Sequence, residues 1–146
     1  MSGKPAATSR YNTNLAAEFY VLSMLHRLGA DAALTLGNKK GVDIMVARAA
    51  GEAVTVEVKG SAQGYDWPAG NIQSPNPGRH FVALVSFEGR IADATFAPRC
   101  WVVPLPELEP YLRQYKTRLN VSRSAMLKEG QRFENAWAAI TGEPPV

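Results

Sequence analysis

Between Asn12 and Ala30 the apolar residues Leu15, Phe19, Leu22, Leu25 and Leu28 recur at spacings of three and four, which predicts one long amphipathic helix. Asn12, Thr13 and Asn14 are candidate N-caps, and Gly29 is a candidate stop. The period then drops to two. Val42, Ile44 and Val46 alternate with Asp43, Met45 and Ala47, and Val54, Val56 and Val58 alternate with Thr55, Glu57 and Lys59. Segments 42–47 and 53–58 therefore read as half-buried strands joined through "RAAGE", with Gly51 in the loop. "DAALTL" (31–36) predicts a strand before them, and "RCWVVP" (99–104) predicts one near the end. "HFVALVSF" (80–87) is apolar almost throughout, as a central strand covered on both faces would be. Residues 60–78, rich in Gly, Pro, Ser and Asn, predict a long ordered loop. Helices are expected over 106–115 and 127–142, the second with Phe133, Trp137 and Ile140 along one side. The architecture implied is α/β, a central mixed sheet of about five strands flanked by helices.

The two alternating strands raise a problem of charge. A hairpin centred near Ala50 pairs residues whose numbers sum to roughly one hundred, which sets Asp43 opposite Glu57 on one face. Opposed side chains have Cβ atoms about 5 Å apart, and like charges so placed repel. A cation between them reverses the sign. Donors that are all oxygen suit Mg²⁺ or Mn²⁺ rather than zinc, and magnesium keeps enough water to need only two or three carboxylates. The Val58 carbonyl is a further candidate ligand. Lys59, beside Glu57, is placed to orient or deprotonate a water on the ion, or to stabilise charge on a phosphate. Glu18 lies three after Leu15 and four before Leu22. It either shares the apolar stripe as a third acid or sits at its edge with the carboxylate in water, and both readings stand.

Composition narrows the class. A chain of 146 residues, 46% hydrophobic and 20% charged, is of single-domain size with an ordinary globular balance. Residues 1–10 are expected to be a disordered tail, and residues 11–146 one domain with C-terminal helices from about residue 105. No apolar run approaches the ~20 residues that would cross a bilayer, and no secretory signal is expected from the polar N-terminus. Cys100 is the lone cysteine, so no internal disulfide forms, a cytoplasmic location is expected, and "RCWVV" suggests a small core residue. The charge is uneven. Residues 1–109 hold ten Lys or Arg and ten Asp or Glu, whereas beyond 110 stand Arg113, Lys116, Arg118, Arg123, Lys128 and Arg132 against three acids. That excess fits either a phosphate-facing surface or a solvated helical face.

The order of an acidic strand residue (Asp43), then Glu57-Val58-Lys59 on the next strand, with Glu18 on an upstream helix, resembles the PD-(D/E)xK nuclease superfamily. That group has the restriction-endonuclease-like fold and includes restriction enzymes and archaeal Holliday-junction resolvases. The resemblance spans residues 12–103 and is to its small uncharacterised bacterial members. It implies Asp43 and Glu57 as metal ligands, Lys59 as the catalytic lysine, Glu18 as an accessory acid, and DNA as the substrate. Val42 stands where the motif has proline, and residues 60–79 show no crossover helix.

Substrate contacts are expected at Lys39 and Lys40, in "GNKKG" just before the Asp43 strand, where the alternative is a solvated turn. In the long loop, Gln63, Tyr65, Trp67 and Gln73 join amides to flat rings that stack on bases, or else pin the loop to the body of the domain. Ser61 is a candidate phosphate contact. His26 reads as exposed, Trp101 and Trp137 as core, and neither His26 nor His80 has a partner at metal-ligand spacing. The expectation is a Mg²⁺- or Mn²⁺-dependent endonuclease that hydrolyses phosphodiester bonds in DNA, with a homodimer as one way to cut both strands. The alternative is a module that keeps the fold and binds nucleic acid or protein without hydrolysis.

Overall fold

The computed structural model describes residues 9–35, 42–48, 51–72, 74 and 76–142. Helix α1 (Arg10–Arg27) leads into strands β1 (Asp31–Leu34), β2 (Ile44–Ala47) and β3 (Ala53–Ser61). A two-residue strand β4 (Trp67–Pro68) follows, then β5 (His80–Ser86) and β6 (Arg99–Pro104). After short 3-10 turns come β7 (Leu112–Tyr115), β8 (Arg118–Val121), α2 (Arg123–Glu129) and α3 (Ala138–Thr141). Five strands form one sheet in the order β1-β2-β3-β5-β6, and β4-β8-β7 form a second. The large sheet is mixed, because β3 and β5 run parallel while its other neighbours are antiparallel. The expected mixed sheet flanked by helices is thus present. No described helix is long and apolar enough to cross a membrane.

Alternation sorts the core into two layers. Ile44, Val54, Val56, Val58, Ala83 and Val85 face α1, whereas Val82, Leu84, Trp101 and Val103 face Trp67, Val121 and Met126 on the other side. Every residue of β5 is buried, as a central strand requires. The β2–β3 register pairs Ile44 with Val56 and Val46 with Val54, in agreement with the sum of one hundred. Gly51, at φ 81°, takes the left-handed position in the connecting turn.

Helix α1 corrects the expected stripe. Its buried residues are Thr13, Ala17, Val21 and Leu25, whereas Phe19 and Leu28 are about half exposed. The cause lies in β3. A Cβ built on Gly60 would sit 2.9 Å from the Ala17 Cβ and 3.1 Å from the Thr13 carbonyl oxygen. The helix therefore touches the strand backbone, and small residues face it rather than leucines. Its N-cap is Ser9, whose hydroxyl accepts from the Asn12 N–H, not one of the three residues expected. Gly29, at φ 81°, ends the helix as predicted.

Two other helices were misplaced. Residues 106–115 form 3-10 turns and then β7, because Pro106 and Pro110 interrupt helical bonding and buried Leu108 and Tyr111 fall three apart. The C-terminal domain portion from about 105 is therefore a hairpin followed by helices. The helix expected over 127–142 is broken at Gly130, which packs against Met126, and at Glu134, which bridges to Trp101. The long loop contains β4 and carries the β3–β5 crossover with a 3-10 turn (Pro77–Arg79) in place of a crossover helix.

Substituting Gly60→Ala should overpack the α1–β3 contact and lower unfolding stability by about 1–3 kcal/mol. Gly78→Ala, where a Cβ meets no atom within 4 Å, should be near neutral in the same urea titration.

Candidate active site

Strand β2 begins at Ile44, so Asp43 stands one residue before it, where the ladder with β3 stops. The Asp43 N–H still donates to the Val56 carbonyl at 2.9 Å. Its carboxylate continues the ladder in place of backbone: Asp43 Oδ2 accepts from the Val58 N–H at 2.7 Å. A residue's N–H and carbonyl share one edge of a strand, so the Val58 carbonyl also points past the end of β2. Strand alternation puts Glu57 and Lys59 on the sheet face away from α1, next to Val82 and Leu84 of β5.

Four of the expected residues meet at this parting of the strands. Lys59 Nζ lies 3.0 Å from Glu57 Oε2 and donates to Asn71 Oδ1 at 2.8 Å. Glu18, half-buried on α1 beside Ala17, reaches the Asp43 carboxyl. Burial, the Asp43 charge and the hydrogen bond between the two raise the Glu18 pKa. Burial also raises that of Asp43, with the Glu57 charge adding to it and the Val58 N–H and Lys59 acting against it. Of the two readings of Glu18, the structure has the acid turned to the site.

Glu57 is almost fully buried, and its Oε1 has no hydrogen-bond partner. Facing it at 3.6 Å is Nε2 of His80, also unpartnered and buried at the start of β5, while His80 Nδ1 shares a 2.7 Å hydrogen bond with the Thr55 hydroxyl. The sequence offered no sign of this, since the pairing of Thr55 with His80 follows from the parallel register across a long crossover. Asn71 was missed for the same reason.

The remaining expectations separate. Ser61 Oγ accepts from the N–H groups of Gly64 and Tyr65, which commits it to shaping the turn after β3. Gln63 is exposed on that turn. Trp67 is fully buried, its indole N–H donating to the Val85 carbonyl at 3.0 Å and its ring edge-on to Trp101. It anchors the loop and cannot stack on a base. Lys39, Lys40 and Gln73 lie outside the described residues. His26 is exposed; Trp101 and Trp137 are core, as is Cys100, whose thiol pKa burial pushes up.

Among the described residues no three His, Cys, Asp or Glu side chains form a ready-made metal cage. The site offers an open set instead: Asp43, Glu57 with its orphaned oxygen, and the Val58 carbonyl. These hard oxygens, with acids whose repulsion a cation would relieve, fit a magnesium ion that keeps several waters.

No family model matches the chain, and no curated protein matches it. Among solved structures it is similar to a bacterial homing endonuclease, I-Ssp6803I, with a TM-score of 0.56 at 16% identity. The match covers 92% of this chain and 95% of that one, so the likeness in fold extends over nearly all of both.

The raised carboxyls have a consequence for stability. Above the ordinary carboxylate range the native state holds more protons than the unfolded chain, so stability falls as pH rises through that window. Asp43→Asn keeps an acceptor for the Val58 N–H and removes the repulsion. In chelator at about pH 8 it should melt higher than the parent, with the difference shrinking toward about pH 4. A lower melting point at both pH values would contradict the assigned repulsion.

Proposed function

We propose that the chain is a metal-dependent endonuclease of PD-(D/E)xK type that hydrolyses phosphodiester bonds in DNA. The observation that carries this reading is the union of Asp43, Glu57, Lys59 and Glu18 where β2 parts from β3, with Asp43 fastened to the backbone between Glu57 and Lys59. The similarity in fold to a bacterial homing endonuclease supports it. Asp43, Glu57 and the Val58 carbonyl would hold the ion, Mg²⁺ or Mn²⁺. When bound, the ion supplies Lewis acidity at the scissile phosphate and charge to offset its oxygens.

The chain's own groups do the rest. Lys59, held between Glu57 and Asn71, presents a fixed ammonium to the charge that develops on the phosphate. Glu18, with its raised pKa and its contact to Asp43, is the acid best placed to take up a proton beside the ion ligands. Buried His80 stands behind Glu57, with its Nε2 3.6 Å from Oε1. Because one centre cuts one strand, a second copy of the chain would supply the other cut in a duplex.

A module that binds without hydrolysis is the second reading, favoured by the lack of a three-acid cage among the described residues. A plasmid-nicking assay in Mg²⁺ or Mn²⁺ separates the two. Lys59→Ala should cut at least about a hundredfold more slowly than the parent with an unchanged circular dichroism spectrum. Equal rates would remove the proposed mechanism, and metal binding without cleavage of duplex, single-stranded or branched DNA would favour the module.

A further inference from the structure

The C-terminal excess of positive charge has no part in the site above, and the fold gathers much of it in one place. A cleft of about 800 Å³ opens at the end of β3 and is lined in part by Gly60 and Ser61. Its walls are the start of α1, with Arg10, the turn after β3, with Gln63 and Tyr65, and the β8–α2 segment, with Arg118 and Arg123. Ser61 is two residues from Lys59, about 7 Å along a strand. That is the axial rise of about two nucleotides.

The arginines are not equivalent. Arg123 forms an ion pair with Glu88, and its backbone N–H donates to Asp66, so it frames the cleft with its charge already met. The guanidinium groups of Arg10 and Arg118 have no hydrogen-bond or ion-pair partner among the described residues. Arg118 also belongs to the β7–β8 hairpin, where Arg113, Lys116 and Arg118 are all exposed and no acid occurs between Leu112 and Val121. Tyr65, on the opposite wall, is 72% exposed.

We infer that this cleft and the β7–β8 hairpin form the docking surface for the sugar–phosphate backbone of duplex DNA, which they lead toward Lys59. The inference rests on the nuclease reading for the identity of the polyanion. Unpaired guanidinium groups bind phosphate oxygens in bidentate fashion, and an open, acid-poor ribbon suits an extended ligand rather than a small nucleotide. Such contacts position a duplex without reading its sequence, so the affinity should depend on salt and hardly on base order.

The test uses the full chain carrying Lys59→Ala, in chelator, so that binding is measured apart from cleavage, by anisotropy of a labelled duplex. Adding Arg10→Ala and Arg118→Ala should weaken binding about tenfold or more and flatten the log–log salt dependence by nearly two units, about 0.9 for each lost contact. Arg10→Lys with Arg118→Lys should keep the slope. Arg27→Ala with Arg132→Ala removes the same charge outside the cleft and should change little. The inference is overturned if the cleft pair binds like this control, if the chain shows no salt-dependent duplex binding, or if polyglutamate displaces the labelled duplex better than unlabelled duplex does. Plasmid cleavage by the chain with native Lys59 reports on the nuclease reading separately. Cleavage with no loss of affinity on changing the arginines leaves that reading and removes this one. Binding that fails only in the cleft variants, without any cleavage, does the reverse.

Discussion

The hydrogen bond from the Val58 N–H to the Asp43 carboxylate is the contact on which the geometry of the candidate site depends. It lies where two antiparallel strands stop pairing, and a side chain takes the place of the next backbone acceptor. That substitution fastens one acid to the peptide between two further charged residues, Glu57 and Lys59. Burial raises the cost of charge on Asp43 against that hydrogen bond, and burial, with the Asp43 charge adding to it, does the same for Glu18. Three carboxylates so close raise one another's cost of ionisation, and under the proposed reading they are part of a cation's coordination sphere.

The surrounding fold keeps that arrangement rigid. Strand β5 supplies apolar neighbours on one side of β3, and at its start buried His80 faces the Glu57 oxygen that has no hydrogen-bond partner. Helix α1 reaches Glu18 into the site only because Gly60 lets Ala17 rest on the strand. A larger residue at either position would lift the helix and withdraw the acid. Trp67 seals the second layer behind the site and holds the start of the crossover against β5. Stability and function thus share residues, as they do when a site is built on strands rather than on loops.

The parts legible in the sequence were those set by local periodicity. The alternation of 53–58 gave the shared face of Glu57 and Lys59, and the short "RAAGE" connection gave the pairing of β2 with β3. Asp43, expected opposite Glu57, instead stands just beyond the ladder and bonds to Val56 and Val58. The largely apolar run of 80–87 marked the central strand. What was hidden depended on contacts distant in sequence. The leucines of α1 draw the eye to one stripe, whereas the buried face is Thr13, Ala17, Val21 and Leu25, which the close approach at Gly60 selects. In "LRQYKTRLNV" the charged positions obscured a hairpin, so two prolines and a helical-looking stretch concealed β7 and β8. His80 and Asn71 reach the site through a parallel register and a loop whose paths no local pattern encodes.

The central claim is that these acids converge on a cation, and a crystal soaked in Mn²⁺ tests it most directly through anomalous scattering. The account predicts a single strong peak bounded by Asp43, Glu57 and the Val58 carbonyl, with Lys59 left outside the coordination sphere. No peak at saturating manganese, or one bound elsewhere with the three oxygens turned apart, would contradict it.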